Sequence, residues 1–279
     1  MVISEKETKV LIVGAGPSGL MMAAQLLRYG VQPVIIDSKE GPTTHSKALA
    51  VQARSLEIYR QMGVVDKVLA GGKQAGGIVF NQDDEQRAKL EMLNIGEGQT
   101  LYPYILLYPQ NKNERLLLDF LTQNACPVYW NTNLVSLQQK AGSATAHISN
   151  AEGDHTLNCD WVVGADGAHS AVRKQLHIPF NGDTYASYFY LIDAKLDNPG
   201  LTENFINLYL GKNGFAGFFP MPDKDTYRIL GNLPQEFGEQ DDIDSEKILP
   251  SLEAVTPNKN KPDKKQLVYH LQVASPHGR

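Results

Sequence analysis

The run from Lys9 to Asp37 constrains this chain more than any other part of it. Lys9 to Val13 is a short apolar, β-branched run that ends in Gly14-Ala-Gly-Pro-Ser-Gly19; then Leu20, Ala23, Ala24 and Leu27 recur at helical spacing. Gly30 stands where a helix C-cap belongs, and Val31 to Asp37 supplies a second buried strand ending in an acid. Strand, glycine turn, helix and strand make a β-α-β unit, which implies a parallel sheet with helices packed on it.

The glycine spacing carries chemistry as well as shape. Gly14 permits a tight turn, Gly16 lets backbone approach a pyrophosphate, and Gly19 lets the helix pack on the strand. A pyrophosphate there rests on the amino end of the helix, where N–H groups have no intrahelical partner and the dipole favours an anion. Asp37 lies at a strand end about twenty residues on, placed to accept from a ribose hydroxyl. The candidate cofactor-binding residues of this unit are Gly14, Gly16, Pro17, Ser18, Gly19, Asp37 and Ser38. The same residues also admit a plainer reading, in which the glycines only turn the chain and Asp37 caps the next loop. The motif alone does not separate FAD from a free nicotinamide dinucleotide.

Further along, helices are expected over Gln52 to Met62, stopping at Gly63, and over Asn111 to Asn124, with Asn111 as N-cap and Glu114 three residues later. Between them a glycine-rich, charged stretch reads as turns around one or two strands. Val128 to Ile148 alternates like a meander, and Asp160 to Gly164 is a short buried strand that returns the chain to the first sheet. From Thr184 to Leu233 the pattern is almost wholly strand-like. An acidic loop and short helix are expected over Asp241 to Leu252, and one more strand over Gln266 to Val273. The expected fold is α/β: a Rossmann-like nucleotide-binding domain over 1–180, with excursion strands at 75–108, and a mostly antiparallel β-sheet substrate domain over 181–273. Residues 274–279 begin a return to the first domain.

Composition removes other classes. The net charge of -5, from 26 Lys+Arg against 31 Asp+Glu, is spread without a basic run, so no nucleic-acid or anionic-membrane footprint exists. No segment approaches the about 18 apolar residues of a membrane helix, and the first residues lack a signal-peptide pattern; a cytoplasmic setting is expected. Cys126 and Cys159 are too far apart for a CxxC or zinc motif and read as structural thiols.

Val163-Gly-Ala-Asp-Gly-Ala-His-Ser-Ala-Val-Arg173 resembles the Asp-Gly fingerprint of the flavoprotein aromatic hydroxylases, the family of para-hydroxybenzoate hydroxylase and phenol hydroxylase. Lys47 to Gly63 and Tyr108 to Leu117 are similar to the same family, so four landmarks stand in family order. The resemblance implies FAD as resident cofactor, with Asp166 close to its ribityl and pyrophosphate region and implicated in nicotinamide-cofactor binding. It implies that Gln110 reaches the flavin and that Lys47 meets the cofactor phosphates. Lys47 departs from the usual arginine, keeping the charge and losing the bidentate fork. Arg54 is matched too, either holding the cofactor or bracing its helix, and Arg173 can anchor the Asp166 turn.

Gly214 to Pro222 with Tyr227-Arg228 is similar to the strand pair over which family substrates lie. Aromatic walls suit an aromatic guest, and the candidates are Tyr188, Tyr190, Tyr209 and Phe218. The implied activity is an FAD-dependent monooxygenase that takes electrons from NADH or NADPH and uses molecular oxygen to hydroxylate a phenolic or polyketide-like ring. No catalytic side chain and no metal is assigned. Another flavin oxidoreductase of the superfamily, an epoxidase or reductase, stays open, as does a noncatalytic nucleotide-binding module. The family also carries a Gly-Asp flavin motif shortly after a Gly-Arg pair, and the sequence stops at such a pair, Gly278-Arg279. On that reading these 279 residues alone are expected to bind FAD weakly and to be inactive.

Overall fold

The computed structural model describes residues 3, 5–44, 48–82, 85–182, 188–196, 200–212, 214–233, 248, 250, 252 and, as backbone only, 272–274. In chain order the elements begin with β1 (Glu7–Val13), α1 (Pro17–Arg28) and β2 (Val34–Ile36). There follow β3 (Ala50–Val51), α2 (Ala53–Gln61), α3 (Val65–Gly71), β4 (Lys73–Ala75), β5 (Gly77–Gln82), β6 (Glu85–Glu91) and β7 (Ile105–Leu107). Next come α4 (Gln110–Gln123), β8 (Val128–Tyr129), β9 (Asn133–Lys140), β10 (Ser143–Asn150), β11 (Gly153–Gly164) and α5 (Ala171–Gln175). The last are β12 (Tyr188–Lys195), β13 (Phe205–Gly211), β14 (Gly214–Pro220), β15 (Thr226–Leu233) and β16 (Gln272–Ala274). Two compact units result: Met1–Thr44 with Gln110–Asp183 and Arg279, and His45–Pro109 with Thr184–Gly278.

The first unit is built on a six-stranded sheet in the order β8-β2-β1-β11-β10-β9. Its first four strands run parallel, and β9 to β11 form an antiparallel meander. Because neighbouring parallel strands share direction, Val13, Ile36, Tyr129 and Gly164 all finish at one edge, in register with one another. Alternation sends Leu11, Val13, Val34 and Ile36 into one buried cluster with Ala146, Ile148 and Leu157. On α1, the helical spacing buries Leu20, Ala23 and Ala24 completely. Each such Leu or Ile contributes about 2 kcal/mol by leaving water. Gly30, at φ +74, follows the end of α1 in a left-handed conformation, as a C-terminal glycine does.

Three local details depart from the sequence reading. The second strand is only three residues long, because Pro33 has no N–H for the ladder; Asp37 falls just beyond it. The fourth helix begins at Gln110, one residue before the expected cap, and the Asn111 Oδ1 accepts from its neighbour, Lys112 N–H, instead of capping. The helix α3 went unread, since its seven residues bury only Val65 and Val68 before a Gly-Gly pair. The expected helix near Leu252 and the start of the last expected strand lie mostly outside the described residues.

The second unit holds a seven-stranded sheet, β16-β12-β15-β14-β13-β5-β6, antiparallel throughout except where β5 joins β13. A three-stranded sheet, β3-β7-β4, accompanies it. The fold is thus a Rossmann-like α/β unit and a mostly antiparallel sheet unit. Register fixes which side chains share a face of the larger sheet. Tyr188, Tyr190, Ile192, Tyr209, Ala216, Phe218 and Ile229 occupy one face, and Ile248 and Leu252 join their buried cluster. Phe189, Leu191, Asp193, Arg228, Leu230, Phe215, Phe219 and Leu208 occupy the other. The edge strand β6 is exposed along its length and carries Glu85, Arg87, Lys89 and Glu91, charges that discourage pairing with another chain. Among the described residues no helix is long and apolar enough to cross a membrane.

Both cysteines are unpaired and buried. Burial pushes the Cys126 thiol up to about 11 and also raises that of Cys159, where the nearby Asp160 adds to the effect. At pH 8 neither is a thiolate, so a thiol reagent is expected to find no reactive sulfur in the folded chain and two after denaturation. Rapid labelling of the native chain would contradict this burial.

Candidate functional site

The shared strand edge of the first unit opens into a cleft of about 360 Å³. Parallel sheets characteristically bind ligands there, outside the carboxyl ends of the strands. Its lining includes Gly14 and Gly16 after β1, Asp37, Ser38 and Lys39 after β2, Thr132 to Leu134 after β8, and Ala165 to Gly167 after β11.

The three glycines do different work. Gly14 sits at φ +102, and a Cβ there would overlap the Ala165 carbonyl. A Cβ on Gly19 would strike the Gly14 carbonyl, so Gly19 sets how closely α1 approaches its own loop. Gly16, in contrast, has nothing within 4 Å of where a Cβ would stand. That open approach lies at the N-cap of α1, which has no side-chain cap and no acid in its first turn. Pro17 and Ser18 open the helix. The result is a cradle of fixed positive potential made by main-chain N–H groups, suited to a pyrophosphate.

Asp37 is buried, and its carboxylate is partly engaged. Its Oδ2 accepts from Ala15 N–H at 2.6 Å and its Oδ1 from Lys39 N–H at 2.8 Å, with Lys39 Nζ 3.6 Å from Oδ2. The acid therefore ties the glycine loop to the end of β2 while lining the cleft; a carboxylate has about four acceptor sites, which leaves capacity for a ribose hydroxyl.

Asp166 also lines the cleft, and its carboxylate turns toward α5. It accepts from Ser170 Oγ at 2.6 Å, Ala171 N–H at 2.6 Å and Val172 N–H at 3.1 Å. Three donors hold it against the helix start, and Ala165 to Gly167 line the cleft at this point, with Gly167 at φ +76. Arg173 anchors that turn by donating to the Ala168 carbonyl at 2.7 Å, and it stacks on Phe180 at 4.3 Å.

The remaining candidates are dispersed. Gln110 opens α4 and donates from Nε2 to Glu114 at 2.9 Å. Arg54 is exposed on α2 in the second unit and pairs with Glu57 at 3.0 Å. The Glu57 carboxyl is held below its usual range by the Thr100 hydroxyl first and by Arg54 second. Lys47 lies outside the described residues. Of the aromatic candidates, Tyr190, Tyr209 and Phe218 are buried, with Tyr209 edge-on to Phe218 at 5.6 Å, and Tyr188 packs beside them. The half-buried aromatics Phe189, Phe215 and Phe219 are on the opposite face of that sheet. Sequence reasoning missed Lys39 and Thr132 to Leu134. The signal for Lys39 was a cation two residues past the strand-end acid, whereas Thr132 is placed only by the pairing of β8 with β2.

A glycine cradle, an uncapped helix end and a strand-end acid around one cleft fit a dinucleotide. A family model for the FAD binding domain matches residues 7–275. The chain belongs to this FAD-binding family. It is 30% identical over 230 residues to pentachlorophenol 4-monooxygenase of Sphingobium chlorophenolicum, covering 81% of this chain and 42% of that protein. It is 31% identical over 222 residues to 6-methylpretetramide 4-monooxygenase of Streptomyces rimosus, covering 80% of this chain and 39% of that one. The fold matches the crystal structure of p-nitrophenol 4-monooxygenase from Pseudomonas putida with a TM-score of 0.80 at 21% identity, over 97% of this chain and 69% of the other. The chain thus spans less than half the length of the two relatives by sequence.

Proposed function

We propose that this FAD-binding domain serves an NADH- or NADPH-dependent monooxygenase that hydroxylates a phenolic or polyketide-like ring with molecular oxygen. The observation that carries the reading is the glycine cradle at the open end of α1, in a chain related to pentachlorophenol and 6-methylpretetramide monooxygenases. Bound FAD supplies the redox chemistry. The task of the chain is to bind, orient and exclude water. Gly14, Gly16, Pro17, Ser18 and Gly19 hold the pyrophosphate on main-chain donors, Asp37 and Ser38 take the adenosine end, and the Asp166 turn presents backbone to the linker between them. Lys47, Arg54 and Gln110 complete the cofactor contacts in this proposal.

For the substrate, the sheet of the second unit offers two aromatic faces. The one with Tyr188, Tyr190, Tyr209 and Phe218 is largely closed by its own packing. The other presents half-buried Phe189, Phe215 and Phe219 around Gly217 and Leu230, which suits a flat apolar guest. A cytoplasmic setting, where a nicotinamide donor is at hand, belongs to the same proposal.

The test is NAD(P)H oxidation by the intact, FAD-loaded monooxygenase that this domain serves, across a panel of phenols and polyphenolic polyketides. Acceleration by at least one ring compound, with oxygen incorporated into the product, is expected. Indifference to every member of the panel would overturn the hydroxylase reading.

A further inference from the structure

α4 carries a buried carboxylate to which the proposed function gives no task. Glu114 is 1% exposed and sits one turn after Gln110. Its Oε1 accepts from Gln110 Nε2 at 2.9 Å, and its Oε2 accepts from Thr43 N–H at 3.0 Å. Both donors are neutral, so neither supplies the countercharge that usually accompanies an ionised group taken from water. A glutamine in this place would avoid that cost and still fill the space. What a carboxylate has and an amide lacks is two oxygens that only accept.

That difference bears on Gln110. Toward a group that only accepts, the Gln110 amide turns Nε2, which directs Oε1 away from Glu114. Toward an amide, this contact would no longer choose between the two atoms. The second oxygen of Glu114 meanwhile holds the backbone at Thr43, in the Gly41-Pro42-Thr43 turn that leads toward Lys47. One buried side chain thus connects two segments proposed to serve the cofactor.

We propose that Glu114 is a positioning residue for FAD: it locks the Gln110 amide so that Gln110 meets an N–H or hydroxyl of the cofactor as an acceptor, and it secures the Thr43 turn. This rests on the reading that Gln110 contacts FAD. A carboxylate kept only for helix stability has no reason to act through Gln110.

The experiment is a double-mutant cycle read by FAD titration, the visible absorption spectrum of the bound flavin, and urea unfolding of the FAD-free protein. Gln110→Ala is expected to weaken FAD about tenfold, the effect of one hydrogen bond, and to shift the flavin bands. Glu114→Gln is expected to weaken FAD to a similar extent with a similar spectral shift, yet by less than about twofold when Gln110 is already alanine. If Glu114→Gln does not fold, Glu114→Asp, which shortens the arm, is expected to show the same sign of coupling. Equal losses from the Glu114 substitution in both backgrounds would overturn the positioning role while leaving Gln110 as a contact. An unchanged affinity and spectrum in Gln110→Ala would remove the contact itself, and the positioning role with it.

Discussion

Gly14→Ala is expected to unfold the chain far more readily, while Gly16→Ala, two residues away, leaves the fold intact and damages only the cofactor site. At Gly14 the backbone has φ +102, and the new methyl group would overlap the carbonyl of Ala165, which is itself held by its N–H on the Val13 carbonyl at 2.7 Å. Neither side can retreat without breaking the end of the parallel sheet. Strain and overlap together cost about 3 kcal/mol or more, which lowers the Tm by about 6–12 °C in a chain of this size. At Gly16 the backbone is extended, with φ -76 and ψ -176, and the position of the methyl group is open. Alanine fits there, and the Tm of the FAD-free chain should move by less than about 2 °C. The same methyl group stands where, in the proposed site, a pyrophosphate approaches the N–H groups of α1, so FAD affinity is expected to fall at least about tenfold. Thermal melts and FAD titrations on the two variants check this. Equal Tm losses would show that Gly16 is a folding residue and that the open approach has no ligand purpose.

That contrast also shows what could be read from the sequence. The glycine loop was legible because each requirement is local: a positive φ, a close carbonyl, an open face. Asp37 was legible as a position, since a buried strand must end somewhere near it. Its bond to Ala15 was not, because that contact depends on how two parallel strands bring their ends together. Asp166 illustrates the same limit. Its glycine-flanked turn was evident, and the choice of its carboxylate between a ligand and the start of α5 was decided by Ser170 and two main-chain donors a few residues on. Strand parity hid more. Phe218 and Phe219 are adjacent and alike in chemistry, yet one is fully buried and the other half-exposed on the far face. Only the register of β14 against β13 and β15 assigns them. The joining of β5 to β13 likewise spans more than a hundred residues, beyond any local pattern.

Arg228 was singled out in the sequence as part of a strand pair, and its environment leads to the second large effect. It is 4% exposed and binds Asp193 across β12 and β15 through Nε at 2.7 Å and Nη2 at 2.8 Å, with Nη1 at 3.5 Å from the Ala48 carbonyl. The two ends of this pair are not equally dry. The Asp193 side chain is 25% exposed, against 5% for Arg228. Removing the arginine therefore leaves a carboxylate that water can reach, whereas removing the acid leaves a guanidinium that water cannot. Asp193→Leu is expected to cost about 3–5 kcal/mol, the penalty for removing one partner of a buried charge pair, and Arg228→Met clearly less, about 2 kcal/mol. The double variant, which removes both charges and keeps apolar volume, should recover most of the Asp193→Leu loss. Urea unfolding of the three variants measures each term. Simple addition of the two single losses would mean that the side chains contribute separately and that the bidentate geometry adds nothing. Because Arg228 shares the face that holds Phe189, Phe215 and Phe219, recovery in the double variant would carry a functional consequence too. Stability would return without this charged pair at that end of the proposed substrate wall. A substrate that needs those charges should then bind poorly to a chain that folds as well as the parent.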